Sequence, residues 1–496
     1  MNRLRLLGLL LLVALLVWFA MRALTPAPPP PPPEVIREAF HPTDALRVEV
    51  LQLDETSNPA AGPRWLLREL RHLLMRGRMK VAPMDTSAAA TGATPFTLRI
   101  TVNAAGDHAA VELVAPDAIV DKRAEIELPN ESQLATMLRF ADQLPEFVHA
   151  PTGSADWSTA LGASDAEAYA AFLKSSDTIF DAQATGFTAP PRATRSANAQ
   201  IEQLETLLRT HADFARARAL LSLAYLSVGG KDEPALTKLA ATAAERALTS
   251  DAELADAQAA LGIVRLRRTA WTAAREYFDA ALALDTSSLA ALEGLGCLLM
   301  DTGHARQALA TTARVIELQP GNRGARQCAT YAMYAASAQI PAASELTTET
   351  ARIHAAMQLL AGEPATAEEL LRSHNAAHDE LIRAIVAASA EGGNRATALR
   401  VVTRTADEGH IDVDTEILFG AALRRPDFVF NRILRLANQN EAVPLRVLWL
   451  PQTAFLREHA RFREIVSTMN LTTYWQDHGL PDVCADEPAL YGCAFN

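Results

Sequence analysis

Cysteine, aromatic side chains and excess positive charge are all scarce in this sequence, and each shortage removes a class of explanation. Four cysteines among 496 residues cannot frame a disulfide-dense fold, and none forms a CxxC pair with metal or redox spacing. The 46 Lys and Arg are outnumbered by 58 Asp and Glu, giving a net charge of -12. That charge repels phosphate backbones and anionic lipid surfaces, so no nucleic acid is expected as a partner. Aromatics make up only 6%, and alanine dominates many segments instead, which suits helices that pack closely through small side chains. No GxSxG elbow, P-loop or dinucleotide fingerprint occurs, and Gly294-x-Gly296 belongs to a packing repeat rather than a phosphate loop. No catalytic residue and no cofactor site is therefore assigned. The length exceeds what one core fills, so several modules or an extended array are expected.

What is present begins with an apolar run at residues 6–21, flanked by Arg3, Arg5 and Arg22. A helix over residues 4–24 would span roughly 30 Å, enough for a bilayer core with Arg22 snorkelling to the interface. Residues 1–24 are thus expected to be an inner-membrane anchor. The arginines before the run place the amino terminus in the cytoplasm and the bulk of the chain in the periplasm. A cleaved signal peptide is the alternative, and it exports the rest equally. Residues 25–44 include the tract TPAPPPPPPE, a stiff polyproline II spacer of about 3.1 Å per residue.

Residues 45–150 carry a mixed pattern. LRVEVLQL alternates like a strand, with Leu46, Val48 and Val50 on one face. Trp65, Leu66, Leu70, Leu73 and Leu74 then recur at helical spacing up to Gly77. Strands are expected at 79–82, 96–102, 109–114 and 124–128, and a helix at 131–148. This order resembles the TolB amino-terminal-like domain of bacterial envelope proteins, a likeness of element order rather than of motif.

The strongest periodic signal lies further on. Leu261-Gly262, Ala274, Phe278 and Ala281 mark one repeat, and with a shift of 34 residues Leu295-Gly296, Gly303, Ala308, Val315 and Pro320 hold the frame, which is tetratricopeptide spacing. Gly262 and Gly296 let paired helices approach, Ala274 and Ala308 fit opposite, and Pro320 ends the second helix. Leu221, Tyr225, Ala240 and Ala247 extend the frame backwards, while Gly362 with Ala367 and Gly393 with Ala398 continue it at shorter spacing. The fold class that follows is mainly α: a tetratricopeptide-type α-solenoid over residues 165–470, preceded by a small α+β domain and one amino-terminal transmembrane helix. Residues 471–496 form a tail. DAEAYAAFLK at 165–174 and LPQTAFLREHARFREIVSTMNLTTYWQDHGLPDVC at 450–484 resemble bacterial membrane-anchored proteins that combine a TolB-like domain with tetratricopeptides, including the extracytoplasmic parts of some winged-helix regulators. No DNA-binding domain precedes the apolar run, so the resemblance carries no transcription-factor activity.

In tetratricopeptide folds the first helix of each pair lines a groove. Its inward positions fall here on Leu223 and Leu226, Ile263 and Leu266, Cys297 and Met300, and Tyr331 and Tyr334. This apolar stripe suits an amphipathic helix or hydrophobic peptide from a protein partner, or filling by the chain itself. The carboxylate-clamp subtype is excluded, because Ala219 and Leu223 stand where it needs Lys and Asn. Arg216 and Arg267 are expected to be solvated surface groups, with contact to an acidic segment as the alternative. Cys297 and Cys328 are expected to be buried free thiols; Cys484 and Cys493 are close enough to form a disulfide in an oxidising compartment or to remain unpaired near the end. His374 and His378 have the i, i+4 spacing of zinc ligands but lack the HExxH glutamate and a third ligand, so no metal is assigned. The function expected is a periplasmic, membrane-anchored protein-interaction adaptor or assembly scaffold and not an enzyme. The alternative is an envelope sensory or ligand-binding subunit that relays a signal to a membrane partner.

Overall fold

The computed structural model describes residues 40–493 except 42–43, 55–58, 83–94, 130, 151–156, 164, 182–185, 189–194, 230–232, 337–345, 375–377, 391 and 440. The expected anchor and proline-rich spacer lie outside the described residues. No helix among those described is long and apolar enough to cross a membrane.

Alternation builds the first layer. In β1 (Leu46–Leu53), Leu46, Val48 and Val50 are buried while their neighbours are partly exposed. The short β2 (Pro59–Ala61) pairs antiparallel with its end. α1 (Arg64–Arg76) buries Leu66, Leu70, Leu73 and Leu74 and leads to β3 (Phe96–Val102), parallel to β1. β4 (His108–Val114) and β5 (Val120–Glu127) follow as antiparallel neighbours, giving the order β2-β1-β3-β4-β5. Glu49, Arg99, Glu112 and Arg123 form an ion-pair row across β1, β3, β4 and β5. α2 (Gln133–Phe147) is capped by Ser132, whose side chain accepts a bond from Ala135 N. The strand expected at 79–82 is only a bridge between Val81 and Leu46, because Lys80 O and Ala82 N already bond the main chain of Leu46 alone.

Helices then run in succession: α3 (Trp157–Ala160), α4 (Ala166–Ile179), α5 (Arg195–Thr210), α6 (Ala215–Leu226) and α7 (Glu233–Ser250). α8 (Ala255–Arg267) with α9 (Trp271–Leu284) and α10 (Leu289–Asp301) with α11 (Ala305–Leu318) are the regular pairs, and α12 (Arg323–Ala335) starts in the same frame. The pairing depends on missing side chains: a Cβ on Gly262 of α8 would lie 2.5 Å from the Phe278 ring of α9. Shorter pairs follow as α13 (Thr348–Ala361) with α14 (Pro364–Ser373), α15 (Asp379–Ser389) with α16 (Arg395–Asp407), and α17 (Val413–Ala422) with α18 (Pro426–Gln439). At Gly362 the backbone is left-handed, φ 86°, which stops α13 and turns the chain into α14. The tetratricopeptide-type solenoid is thus visible in the chain's own helix pairs.

Pairs of helices end at α18, and the return segment that follows is irregular. It contains 3-10 turns at Arg446–Trp449 and Pro451–Thr453, then α19 (Ala454–Arg457), α20 (Phe462–Thr468) and α21 (Leu471–His478). Residues 471–493 are no loose tail, since Leu471, Tyr474 and Trp475 are buried.

The small domain docks on the array through α1. Glu69, fully buried, accepts from Arg216 Nη1 and Nη2 at 2.8 and 2.7 Å and from the Tyr169 hydroxyl at 2.5 Å. Burial pushes the Glu69 carboxyl up, but the Arg216 guanidinium outweighs it and holds the group at about 2. Arg216 is therefore an interface residue and not the solvated surface group expected. Burial, with Arg216 adding to it, depresses His72 to about 3, so its neutral ring donates Nε2–H to Ala160 O at 3.0 Å. Arg76 and Arg78 of the small domain bond Asp251 and Glu253 in the turn before α8.

Arg216→Met strands the Glu69 carboxylate in the interior and is expected to cost about 3–5 kcal/mol in urea unfolding at neutral pH. A depressed carboxyl stabilises fully above its ordinary value of 4.5 and loses that contribution as pH falls toward about 2. The deficit of the variant should therefore shrink across that window.

Candidate binding groove of the repeat array

The first helices of the pairs converge on one face, as their apolar spacing requires. Leu223 and Leu226 of α6, Ile263 of α8, Cys297 and Met300 of α10 and Tyr331 of α12 are all fully buried. Leu266 and Tyr334 are only 8% and 7% exposed. Among the described residues the whole predicted stripe is buried, and two segments of the same chain bond to the helices that carry it.

The first is the strip at residues 186–188. Phe187 N and Thr188 N donate to Glu293 Oε1 at 2.8 and 2.6 Å, and the Thr188 hydroxyl adds a third bond at 2.6 Å. Asn322 Nδ2 donates to the other oxygen at 2.7 Å, while its Oδ1 caps α12 by accepting from Ala325 N. Burial raises the Glu293 carboxyl and these bonds oppose the rise. Arg267 Nη2 donates to Phe187 O and Leu226 O, each at 2.8 Å, and Nη1 to the Thr237 hydroxyl. Arg267 is 6% exposed, so the solvated role expected for it is also corrected.

The second is the return segment. Asp301, at the end of α10, accepts from Leu445 N at 2.9 Å and from Arg446 Nε and Nη2 at 3.2 and 3.3 Å, while its main-chain oxygen accepts from Trp449 Nε1 at 2.8 Å. The Arg446 guanidinium lies 5.8 Å from the Tyr331 ring centre. Further along, Trp475 Nε1 donates to Thr302 O, and Trp271 Nε1 of α9 donates to Met469 O. His304 bonds Gly479 O through Nε2, and Gly303 O accepts from Asp482 N. Burial lowers His354 to about 4 and raises Tyr334 to about 12, so the Tyr334 hydroxyl donates to the neutral ring at 2.6 Å.

All four cysteines are disulfide-bonded. Cys484 and Cys493 are joined within the return segment. Cys297 and Cys328, expected as free thiols, are also joined, across a separation of 31 residues. The physical reason is the repeat: Cys328 stands one period after Gly294, so α10 and α12 bring the two side chains together on the groove face. His374 closes α14, whereas His378 precedes α15 with its ring centre 4.0 Å from that of His410. Among the described residues no group of three or more His, Cys, Asp or Glu is arranged to hold a metal ion.

Glu293, Asp301 and Arg446, which organise the groove, were not picked out by sequence reasoning. Their signal is visible in hindsight as single charges inside or at the end of apolar stretches, LEGLGCLLMD and LRVLWL.

No protein-family model matches the sequence, and no curated protein matches it. Among solved structures, the chain is similar to the Pseudomonas aeruginosa pilF protein at 20% identity, over 46% of this chain and 93% of that one, with a TM-score of 0.25. It is also similar to a chain of the Naa15/Naa10 structure bound to HypK-THB at 15% identity, over 66% of this chain and 49% of that one, with a TM-score of 0.23.

Asp414, in the first turn of α17, lies 3.9 Å from Arg446 Nε. Burial raises its carboxyl to about 7, against Arg446 and with help from Asp412 and Asp301. A carboxyl raised above its ordinary 3.8 burdens the fold when ionised, fully above pH about 7 and not at all below 3.8. Asp414→Asn should therefore melt higher than the parent at pH 8 and level with it near pH 4. Replacing Cys297 and Cys328 together by Ala should cost about 2–4 kcal/mol in denaturant unfolding without reductant.

Proposed function

We propose that the protein is a membrane-anchored, extracytoplasmic interaction scaffold whose repeat array is completed by its own return segment and meets protein partners on its outer surface. The observation that carries this is the filled groove: the residues that would hold a partner peptide are buried under the chain itself. The self-occupied groove also favours a stiff array of fixed curvature, suited to holding partners at set positions. Two disulfides favour an oxidising compartment, which agrees with export directed by the apolar run at residues 6–21. The strand and helix order of the small domain supports a TolB amino-terminal-like module at the array's edge. No catalytic step is assigned to it.

A second function, an envelope ligand-binding subunit, is favoured by a cleft of about 690 Å³ between α1 and the turns of the array. That volume falls in the range of small-molecule sites.

A photo-crosslinking side chain placed in cells at Leu239, 48% exposed on α7, should yield protein adducts, whereas one at Leu223 should yield only internal links. Adducts from Leu223 alone would refute outer-surface scaffolding. Protease added to spheroplasts should digest the chain; protection until lysis would refute the extracytoplasmic location.

A further inference from the structure

The cleft between α1 and the array is walled by Leu67, Met75, Phe172, Phe180 and Leu318. Cationic side chains outnumber acidic ones around it, yet the deeper ones are already engaged. Arg68 bonds Asp177 at 2.6 Å, Arg76 bonds Asp251 at 3.0 Å, and Arg216 bonds Glu69. Arg71 donates to Ala82 O at 2.6 Å and to the Ser287 hydroxyl at 3.0 Å. Arg64 and Lys80 stand exposed at the rim.

Two polar groups of the wall are left without such partners. Asp256, in the first turn of α8, is open to the cleft and has no ion pair or side-chain hydrogen bond among the described residues. Ser288, which precedes α10 and is 4% exposed, has a buried hydroxyl with no hydrogen-bond partner. Asp256 is half-buried and feels the Arg216 and Arg68 guanidinium groups without pairing with either, so an incoming cation gains a direct ion-pair partner there. An apolar wall around it selects for a ligand with an apolar body.

We propose that this cleft binds a small molecule carrying a primary ammonium on an apolar body, with the ammonium against Asp256, the Ser288 hydroxyl as a second acceptor and the body against Leu67, Phe172 and Phe180. The proposal rests on the ligand-binding function and names the chemistry of its ligand.

The groups around Asp256 set the pH response. Burial and then Asp285, from the turn before α10, raise its carboxyl to about 6; Arg216 of α6 and Arg68 of α1 oppose, and Glu69 of α1 adds to the rise. His72 of α1, at about 3, stays neutral throughout the range in which Asp256 titrates. An alkylammonium remains charged across that range, with a pKa of about 10. Affinity should therefore fall as pH drops from 7.5 to 5.

Calorimetric titration of the full chain in detergent with hexylammonium and, separately, hexanoate tests this, since the two probes share one apolar body and differ in charge. Hexylammonium should bind saturably at pH 7.5 and hexanoate at least tenfold more weakly. Asp256→Asn should lose at least tenfold in hexylammonium affinity, with its melting curve reporting whether the fold is intact. A first-turn aspartate also complements a helix dipole; if that is its whole role, the variant melts lower and binds the probe unchanged. Leu67→Lys, which sets a competing ammonium in the wall, should abolish binding independently. Equal binding of hexanoate would overturn the ammonium assignment and leave the ligand-binding function standing, whereas no saturable binding of either probe would overturn both.

Discussion

Asp301 is the hinge of the architecture. One buried carboxylate at the end of α10 holds the main chain at Leu445 and the guanidinium of Arg446, and its own carbonyl holds the indole of Trp449. A repeat helix with an apolar inner face cannot leave that face in water, and something must cover it. Here the cover is irregular chain, which brings polar main-chain groups that also need partners. Apolar contact alone would let the return segment slide along the groove. The directional bonds at Asp301 fix its position, and the aromatic side chains of Trp449 and Trp475 then fill the space between helices.

The same logic operates at Glu293, earlier on the same helix α10, and at the small domain. Glu293 gathers two main-chain amides, a hydroxyl and a side-chain amide, while Glu69 gathers a guanidinium and a phenol. Each is a buried acid satisfied by groups far away in sequence. Buried acids of this kind are weak sources of net stability but strong sources of specificity, because any other docking position leaves them unpaired. Three acids thus set three positions: upstream strip, return segment and small domain.

Much of the fold was legible because it follows from local periodicity. Alternation at Leu46, Val48 and Val50 and the 34-residue recurrence of Leu261-Gly262 at Leu295-Gly296 both report on contacts between neighbouring elements. The groove stripe was legible as well, since inward positions repeat with the helices. Its occupant stayed open between a partner peptide and the chain itself. Whether the groove faces a partner or the same chain depends on contacts such as Phe187 with Glu293 and Leu445 with Asp301, 106 and 144 positions apart, which no period encodes. The burial of Arg216 and Arg267 was missed for the same reason, because their acceptors lie in other segments. The Cys297–Cys328 link was missed because each helix alone presents one cysteine on an apolar face, which is also how a free thiol looks.

The tie between Asp301 and Arg446 also has a consequence in time. Its partners are separated by 145 residues, and at a synthesis rate of about 5–20 residues per second the second arrives about seven to thirty seconds after the first. During that interval the end of α10 at Asp301 has emerged and its cover has not. A nascent chain of this kind presents a sticky, half-built concave surface to its surroundings for longer than an ordinary solenoid whose repeats cover one another as they appear. How long that surface stays open is therefore set by the sequence distance between groove and cover rather than by the stability of the finished fold.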